Sequence, residues 1–177
     1  FLWEIVKVAL VSLAIILPIR YYLVQPFYVK GASMEPNFFD REYLLVDEIS
    51  YRFREPVRGE VVVLKYPRNE REYFIKRVVA LPSDRVVVKN DHLYVGTNGQ
   101  EPTIVNESYL PPARLTIGQI DQTLLPGQYF VLGDNRGASL DSRAFGPVTR
   151  AELVGRAWIR AWPFSRWTIF SSSLITP

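Results

Sequence analysis

The chain has 177 residues, enough for one domain with a substantial core and too few for two full enzyme domains. Its 21 Lys plus Arg stand against 18 Asp plus Glu, and the net charge of +3 does not by itself mark a nucleic-acid binder. With no Cys and a single His, His92, disulfide scaffolds, Cys proteases, Fe–S clusters and zinc fingers are excluded, and a Ser-His-Asp triad would have to run through His92.

The first element is apolar. Val8 to Ile19 carry no charge, and between Ile5 and Val24 the only charges are Lys7 and Arg20, near the two ends. A helix of about 20 residues rises roughly 30 Å, the thickness of a bilayer's hydrocarbon core. Trp3, Tyr21 and Tyr22 suit the interfacial belts, and Pro18 is tolerable late in such a helix. Residues 1–29 therefore read as a transmembrane anchor. A buried core helix and a cleavable signal peptide are the alternatives. The run is apolar all round, unlike a helix on the surface of a small domain, and no A-x-A pair follows it.

After residue 30 the pattern changes to short β-branched and aromatic runs bounded by Pro, Gly, Asn and Asp. Strands are predicted at Tyr43–Val46, Val61–Tyr66, Tyr73–Ala80, Arg85–Val88, Leu93–Val95, Tyr129–Leu132 and Ala157–Trp162. Asn90 and Asp91 between two apolar stretches predict a hairpin over Val87–Val95. No βαβ alternation is visible, so the sheet should be antiparallel. Gly96 to Pro126, with several Pro and many polar residues, reads as a long excursion from the core: a small lobe, a lid or a loop.

Three places offer chemistry. In the strand Tyr73–Ala80, alternation puts Lys76 on one face with Phe74, Val78 and Ala80. A lysine stripped of water there has a depressed pKa and can serve as a base; a snorkelling lysine at a sheet edge is the plainer alternative. Gly31-Ala32-Ser33-Met34-Glu35-Pro36 places an accessible serine in a bent backbone, although a plain turn serine has the same signature. Gly133-Asp134-Asn135-Arg136, followed by Ser139, Asp141, Ser142 and Arg143, is a polar loop directly after an apolar strand. Near the carboxy terminus Trp158, Trp162, Phe164, Trp167 and Phe170 alternate with Arg156, Arg160 and Arg166, which fits a membrane surface and a closing core strand equally well.

In order and spacing, Ser33-Met34-x-Pro36, Arg58-Gly59-Glu60-Val61-Val62, Tyr73-x-x-Lys76-Arg77-Val78-x-Ala80 and Gly133-Asp134-Asn135-Arg136 with Ser139-x-Asp141-Ser142-Arg143 resemble the boxes of type I signal peptidases. The resemblance covers nearly the whole chain. It implies a mainly β fold: an antiparallel catalytic domain over 30–177, with a small β-rich insertion at about 96–126, behind one amino-terminal transmembrane helix in 1–29. It also implies a membrane-bound serine endopeptidase that cleaves signal peptides from exported preproteins after small residues. The catalytic domain would lie on the trans side of a bacterial plasma membrane or a thylakoid membrane.

Carried over, Ser33 is the nucleophile and Lys76 the base. Ser139 hydrogen-bonds the lysine, and Asp134, Arg77, Asp141 and Arg143 support the site. Many members place a serine two residues before the nucleophile as a second oxyanion donor; here that position is Gly31. Asn37, Glu60, Gly137 and Ala138 also depart from the common pattern. The expected partners are preprotein signal peptides and the lipid bilayer, with no nucleic acid, no metal and no cofactor, and the chain is expected to be monomeric. A soluble self-cleaving Ser/Lys repressor-like protease and a membrane-tethered β module that binds extended peptides without cleaving them are the competing readings.

Overall fold

The computed structural model describes residues 1–18, 24–97 and 99–170. It opens with helix α1 (Leu2–Pro18) and then becomes β: β1 (Val24–Tyr28), β2 (Tyr43–Asp47), short helix α2 (Ser50–Phe53), β3 (Val61–Tyr66), β4 (Asn69–Ala80), β5 (Arg85–Lys89) and β6 (His92–Gly96). There follow β7 (Thr103–Ile104), β8 (Ile120–Thr123), β9 (Gln128–Leu132), short helix α3 (Ser142–Phe145), β10 (Val148–Thr149), β11 (Leu153–Trp162) and β12 (Thr168–Ile169).

The strands form two sheets. The larger runs β1-β2-β11-β3-β4-β9-β10, with β12 added to β11, and the smaller runs β7-β6-β5-β8. Among the described residues every strand pairing is antiparallel, as the lack of βαβ alternation predicts. β3 shows why the centre sits where it does. Val61 to Leu64 are apolar without alternation and all four are buried, because the strand has a neighbour on each edge and packing on each face. One face carries Val62, Leu64, Val78 and Val131. The other carries Val61, Leu44 and Ala157, on which Met34 and Phe38 settle from the turn after residue 30. Each of those two side chains is 1% exposed, and such burial contributes about 1.5–3 kcal/mol apiece. The third cluster joins the sheets: Val86, Val88, Leu93 and Val95 of the hairpin meet Val79, Ala80, Phe130 and Leu132.

The hairpin turns at Asn90 and Asp91, whose φ angles of 50° and 61° are those of a tight primed turn. Both edges of the smaller sheet come from the excursion, since β7 pairs with β6 and β8 with β5. Ala80 is a correction. The alternation running through Lys76 and Val78 breaks at a register shift between Val78 and Ala80, so that Val79 and Ala80 both pack into the cluster between the sheets.

The amino-terminal segment also departs from expectation. A single helix from Ile5 to Val24 is not formed: α1 has 17 residues, about 25 Å long, and Val24 already pairs with Asp47 in the sheet. Residues 19–23 lie outside the described residues. Among the described residues no helix is long and apolar enough to cross a membrane. The physical reason at the carboxy-terminal end is competition: Gln25 to Tyr28 extend the large sheet by one strand instead of continuing the helix.

Candidate active site

The turn around Ser33 is fixed from both sides. Within it, the amides of Asn37 and Phe38 each donate to the Met34 carbonyl at 3.0 Å. From outside, the Asn135 amide donates to the Ser33 carbonyl and the Asn135 side chain to the Ala32 carbonyl, both at 3.0 Å. Gly31 donates its amide to Asp40 Oδ1 at 2.7 Å and has φ +83°, a left-handed conformation that a serine would adopt only under strain. A Cβ there would meet nothing within 4 Å, so backbone geometry rather than space favours glycine at this position.

Lys76 comes from the middle of β4, where the strand passes from exposed to buried. Its Nζ lies 2.8 Å from Ser33 Oγ and donates to the Ile75 carbonyl at 2.8 Å. The residue is 3% exposed, and its Nζ stands 5.3 Å from the centre of the Phe74 ring. Burial lowers its pKa to about 8, while the charges of Asp141 and Asp134 pull it partway back. At neutral pH a lysine of that kind is deprotonated in a useful fraction of molecules and can accept a proton from a hydroxyl held against it.

The supporting charges form two ion pairs. Arg77, the residue after Lys76, gives Nε and Nη2 to the two oxygens of Asp134 at 2.8 and 2.6 Å and Nη1 to the Gly59 carbonyl at 2.8 Å. Asp134 is fully buried, and the Asn37 amide nitrogen bridges it to the Tyr109 carbonyl at 2.8 and 2.9 Å. Asn37 thus does with one NH₂ group what a hydroxyl, with its single proton, cannot. Asp141 takes Nε and Nη2 of Arg143, each at 2.8 Å, and the Gly133 amide at 3.0 Å. Burial alone would raise the Asp141 carboxyl, but Arg143 and the Gly133 amide hold it below the usual carboxylate range.

Ser139 is placed differently from expectation. Its hydroxyl is buried near the Asp141 carboxylate, whose charge it helps to hold, yet among the described residues no group sits in full hydrogen-bonding geometry to it, and the Lys76 bonds go to Ser33 and Ile75. The hydroxyl is instead wedged against Gly133, where an added Cβ would lie 2.1 Å from Ser139 Oγ and 2.5 Å from the Ser33 carbonyl oxygen. Gly133 is the point at which both loops close on one another.

Several contributors were not singled out from the sequence. Asn135 secures the turn, and Arg136 ties the excursion to the loop through Glu107, Tyr109 and Thr116. Arg114 reaches Asn135 Oδ1 at 2.7 Å. The available signal was the polar run at 133–136 itself, but the partners of Arg136 are 20 to 29 residues away in a segment without periodicity, and Ala32 lies 103 positions from Asn135. A cleft of about 260 Å³ opens on Ser33 and Lys76, with Phe27, Tyr28, Tyr73 and Leu140 among its walls. On the β9 side β4 is paired only from Arg77 onward, so the stretch leading to Lys76 presents an open edge there among the described residues. His92, the sole histidine, opens β6 in the smaller sheet, where it is exposed.

The sequence profile described as "Signal peptidase, peptidase S26" matches residues 2–162. A probable signal peptidase I-2 of Synechocystis sp. is 37% identical over 171 residues, spanning 92% of this chain and 74% of that protein. Signal peptidase IB of Staphylococcus aureus is 34% identical over 171 residues, spanning 88% and 86%. Among solved structures, a signal peptidase I from Enterococcus faecalis aligns with a TM-score of 0.48 at 28% identity, over 58% of this chain and 97% of that one.

Proposed function

The chain belongs to the signal peptidase family, peptidase S26, and on that premise we propose that Ser33 and Lys76 are the dyad with which this serine endopeptidase cleaves signal peptides from preproteins. The observation that carries the assignment is the 2.8 Å contact between Lys76 Nζ and Ser33 Oγ at a buried lysine whose pKa is about 8. Neutral Lys76 takes the Ser33 proton as Oγ attacks the scissile carbonyl, and the resulting ammonium returns that proton to the leaving amine. A water then gives a proton to neutral Lys76 as its oxygen attacks the acyl carbon, and the Lys76 ammonium passes that proton to Ser33 Oγ as the ester bond breaks, which restores the serine and releases the acid.

The Ser33 amide, which donates to no other described residue, is available to the oxyanion; one such donor is typically worth about 2.7–4 kcal/mol. With Gly31 in place of a serine, a second donor has to be a backbone amide or water. Arg77 with Asp134 and Arg143 with Asp141 hold the loops rather than touch the substrate. An extended peptide added along the open edge of β4 would bring its scissile bond to Ser33. Cleavage after small residues belongs to the same reading. So does contact with a bilayer through α1, whose apolar side chains from Leu2 to Leu13 are largely exposed, with the catalytic domain on the trans side of a bacterial plasma or thylakoid membrane.

The test is cleavage of a preprotein carrying an A-x-A site. Ser33→Ala and Lys76→Ala should each abolish it while circular dichroism and thermal unfolding remain those of a folded protein. A non-catalytic peptide-binding module would tolerate both changes, and normal turnover by Lys76→Ala would overturn the dyad.

A further inference from the structure

The excursion after β6 supplies both edge strands of the smaller sheet, and between them it reaches back to the large one through Tyr109. The ring of Tyr109 packs against the cluster that joins the two sheets. Each remaining part of the residue engages a different piece of the site. Its carbonyl accepts from Asn37 Nδ2 at 2.9 Å, the nitrogen that also serves Asp134, and the Asn37 amide closes the Ser33 turn on Met34. The centre of its ring lies 4.0 Å from the Arg77 guanidinium carbon, one residue beyond Lys76 on β4. Its hydroxyl donates to Glu107 at 2.6 Å and accepts from Arg136 Nη2 at 2.9 Å. Arg136 in turn donates through Nε to the Gly133 carbonyl at 3.1 Å, where the two loops close on one another. Turn, strand and loop come from three distant stretches of chain, and all three meet this one side chain and its carbonyl.

Tyr109 itself stands outside the chemistry. It is absent from the walls of the catalytic cleft, and the bonds of Lys76 go to Ser33 and Ile75. Its leverage is indirect. Two carboxylates, Asp141 and Asp134, favour the ammonium form of Lys76, and each has its own counterion, Arg143 and Arg77. The Tyr109 ring covers the Arg77 guanidinium, and the Asn37 bridge fixes Asp134 from the other side, so the compensating fork is held on the carboxylate by groups tied to Tyr109.

We propose that Tyr109 is a positioning residue of the proteolytic site, through which the excursion straps the Ser33 turn, the Lys76 strand and the 133–143 loop into one arrangement. The proposal rests on the reading of Ser33 and Lys76 as the dyad.

The experiment is steady-state cleavage of a short signal-peptide substrate by the full chain from neutral to alkaline pH, comparing wild type, Tyr109→Leu and Tyr109→Phe, each shown by circular dichroism to be folded. Tyr109→Leu keeps an apolar group on the inter-sheet cluster but uncovers Arg77 and drops the bonds to Glu107 and Arg136. It should lower kcat about tenfold or more, with KM nearly unchanged because the residue lies outside the cleft. The ascending limb should also move to higher pH, since a less compensated Asp134 and freer access of water both favour the ammonium. Tyr109→Phe retains the ring on Arg77; it should lose less in kcat and leave the limb in place. Should Tyr109→Leu not fold, the fall in kcat must appear in Tyr109→Phe. A residue that serves only the fold would lower the unfolding temperature and leave the kcat and the limb of the folded variants unchanged; that result overturns the proposal, as does a rise in KM alone. Ser33→Ala in the same assay separates the two readings. Its loss of cleavage beside wild-type kinetics in Tyr109→Leu removes the strap and keeps the dyad, whereas cleavage by Ser33→Ala removes the dyad itself.

Discussion

Lys76→Met keeps the length of the side chain and removes its charge, which separates what the lysine does for catalysis from what it costs the fold. The gap between the ordinary lysine value of 10.5 and about 8 in the folded chain corresponds to about 3 kcal/mol at about 1.4 kcal/mol per tenfold. Between those values the unfolded chain binds more protons than the folded one, so wild-type stability rises with pH across the window from about 8 to 10.5. Below pH 8 the full cost of burying the ammonium is present. Methionine escapes that cost but forgoes the bonds to Ser33 and the Ile75 carbonyl, each worth about 1 kcal/mol, so a net stabilisation of about 1–2 kcal/mol is expected near pH 7. Urea unfolding of both proteins from pH 6.5 to 10.5 provides the measurement. Other groups titrate alike in the two proteins, and the difference between the curves isolates residue 76. That difference should favour the variant near neutrality and move by about 3 kcal/mol by pH 10.5, so that its sign reverses and the wild type becomes the more stable, while peptide cleavage by the variant falls about 10⁴-fold or more. A difference that is flat from pH 8 to 10.5 would refute the desolvated-base argument.

The same lysine should give kcat/KM an ascending limb near pH 8, read from cleavage of a short signal-peptide substrate, and a limb near 10 would show the amine to be well solvated. Gly133→Ala puts a methyl group into Ser139 and the Ser33 carbonyl; loss of activity of about a hundredfold or more is expected from displacement of about 1 Å in the loops, checked by kinetics on protein shown to be folded. Asp134→Asn strands Arg77 inside the protein and should cost about 3–5 kcal/mol, measured by denaturant unfolding, because the remaining charge is buried without its counterion.

Much of the β framework was legible because its runs are apolar and punctuated: Val61–Tyr66, Arg85–Val88 and the Asn90-Asp91 turn needed only local rules. β7, β8, β10 and β12 were not, since two to four residues of mixed polarity become strands only when a neighbour completes them. Lys76 was visible as a charge among apolar residues on an alternating strand. Its contact with Ser33 spans 43 positions in sequence, a proximity suggested by resemblance and not by any local pattern. The ion pairs divide the same way. Asp141 and Arg143 are close in sequence and readable, whereas Arg77 and Asp134 are joined only because β4 and β9 are neighbours. Alternation failed at Ala80 because a bulge is a property of the pairing, not of the strand. At the amino terminus the apolar run from Ile5 to Val24 did not show where helix would yield to sheet, although Pro26 disfavours helix just beyond it, because β1 becomes a strand only when β2 is there to pair with.

β1 is both the outermost strand of the large sheet and, through Phe27 and Tyr28, a wall of the cleft. Its first residue follows the last residue of α1 by six chain positions, which no conformation can stretch beyond about 20 Å. If the end of α1 is held at a bilayer, as proposed, those few residues are a short leash on the cleft. Ser33 would then reach only bonds within a limited distance of that point, and a bond farther away would escape cleavage however well its sequence fits. Reach, set by covalent length, would select among substrates before any side chain does.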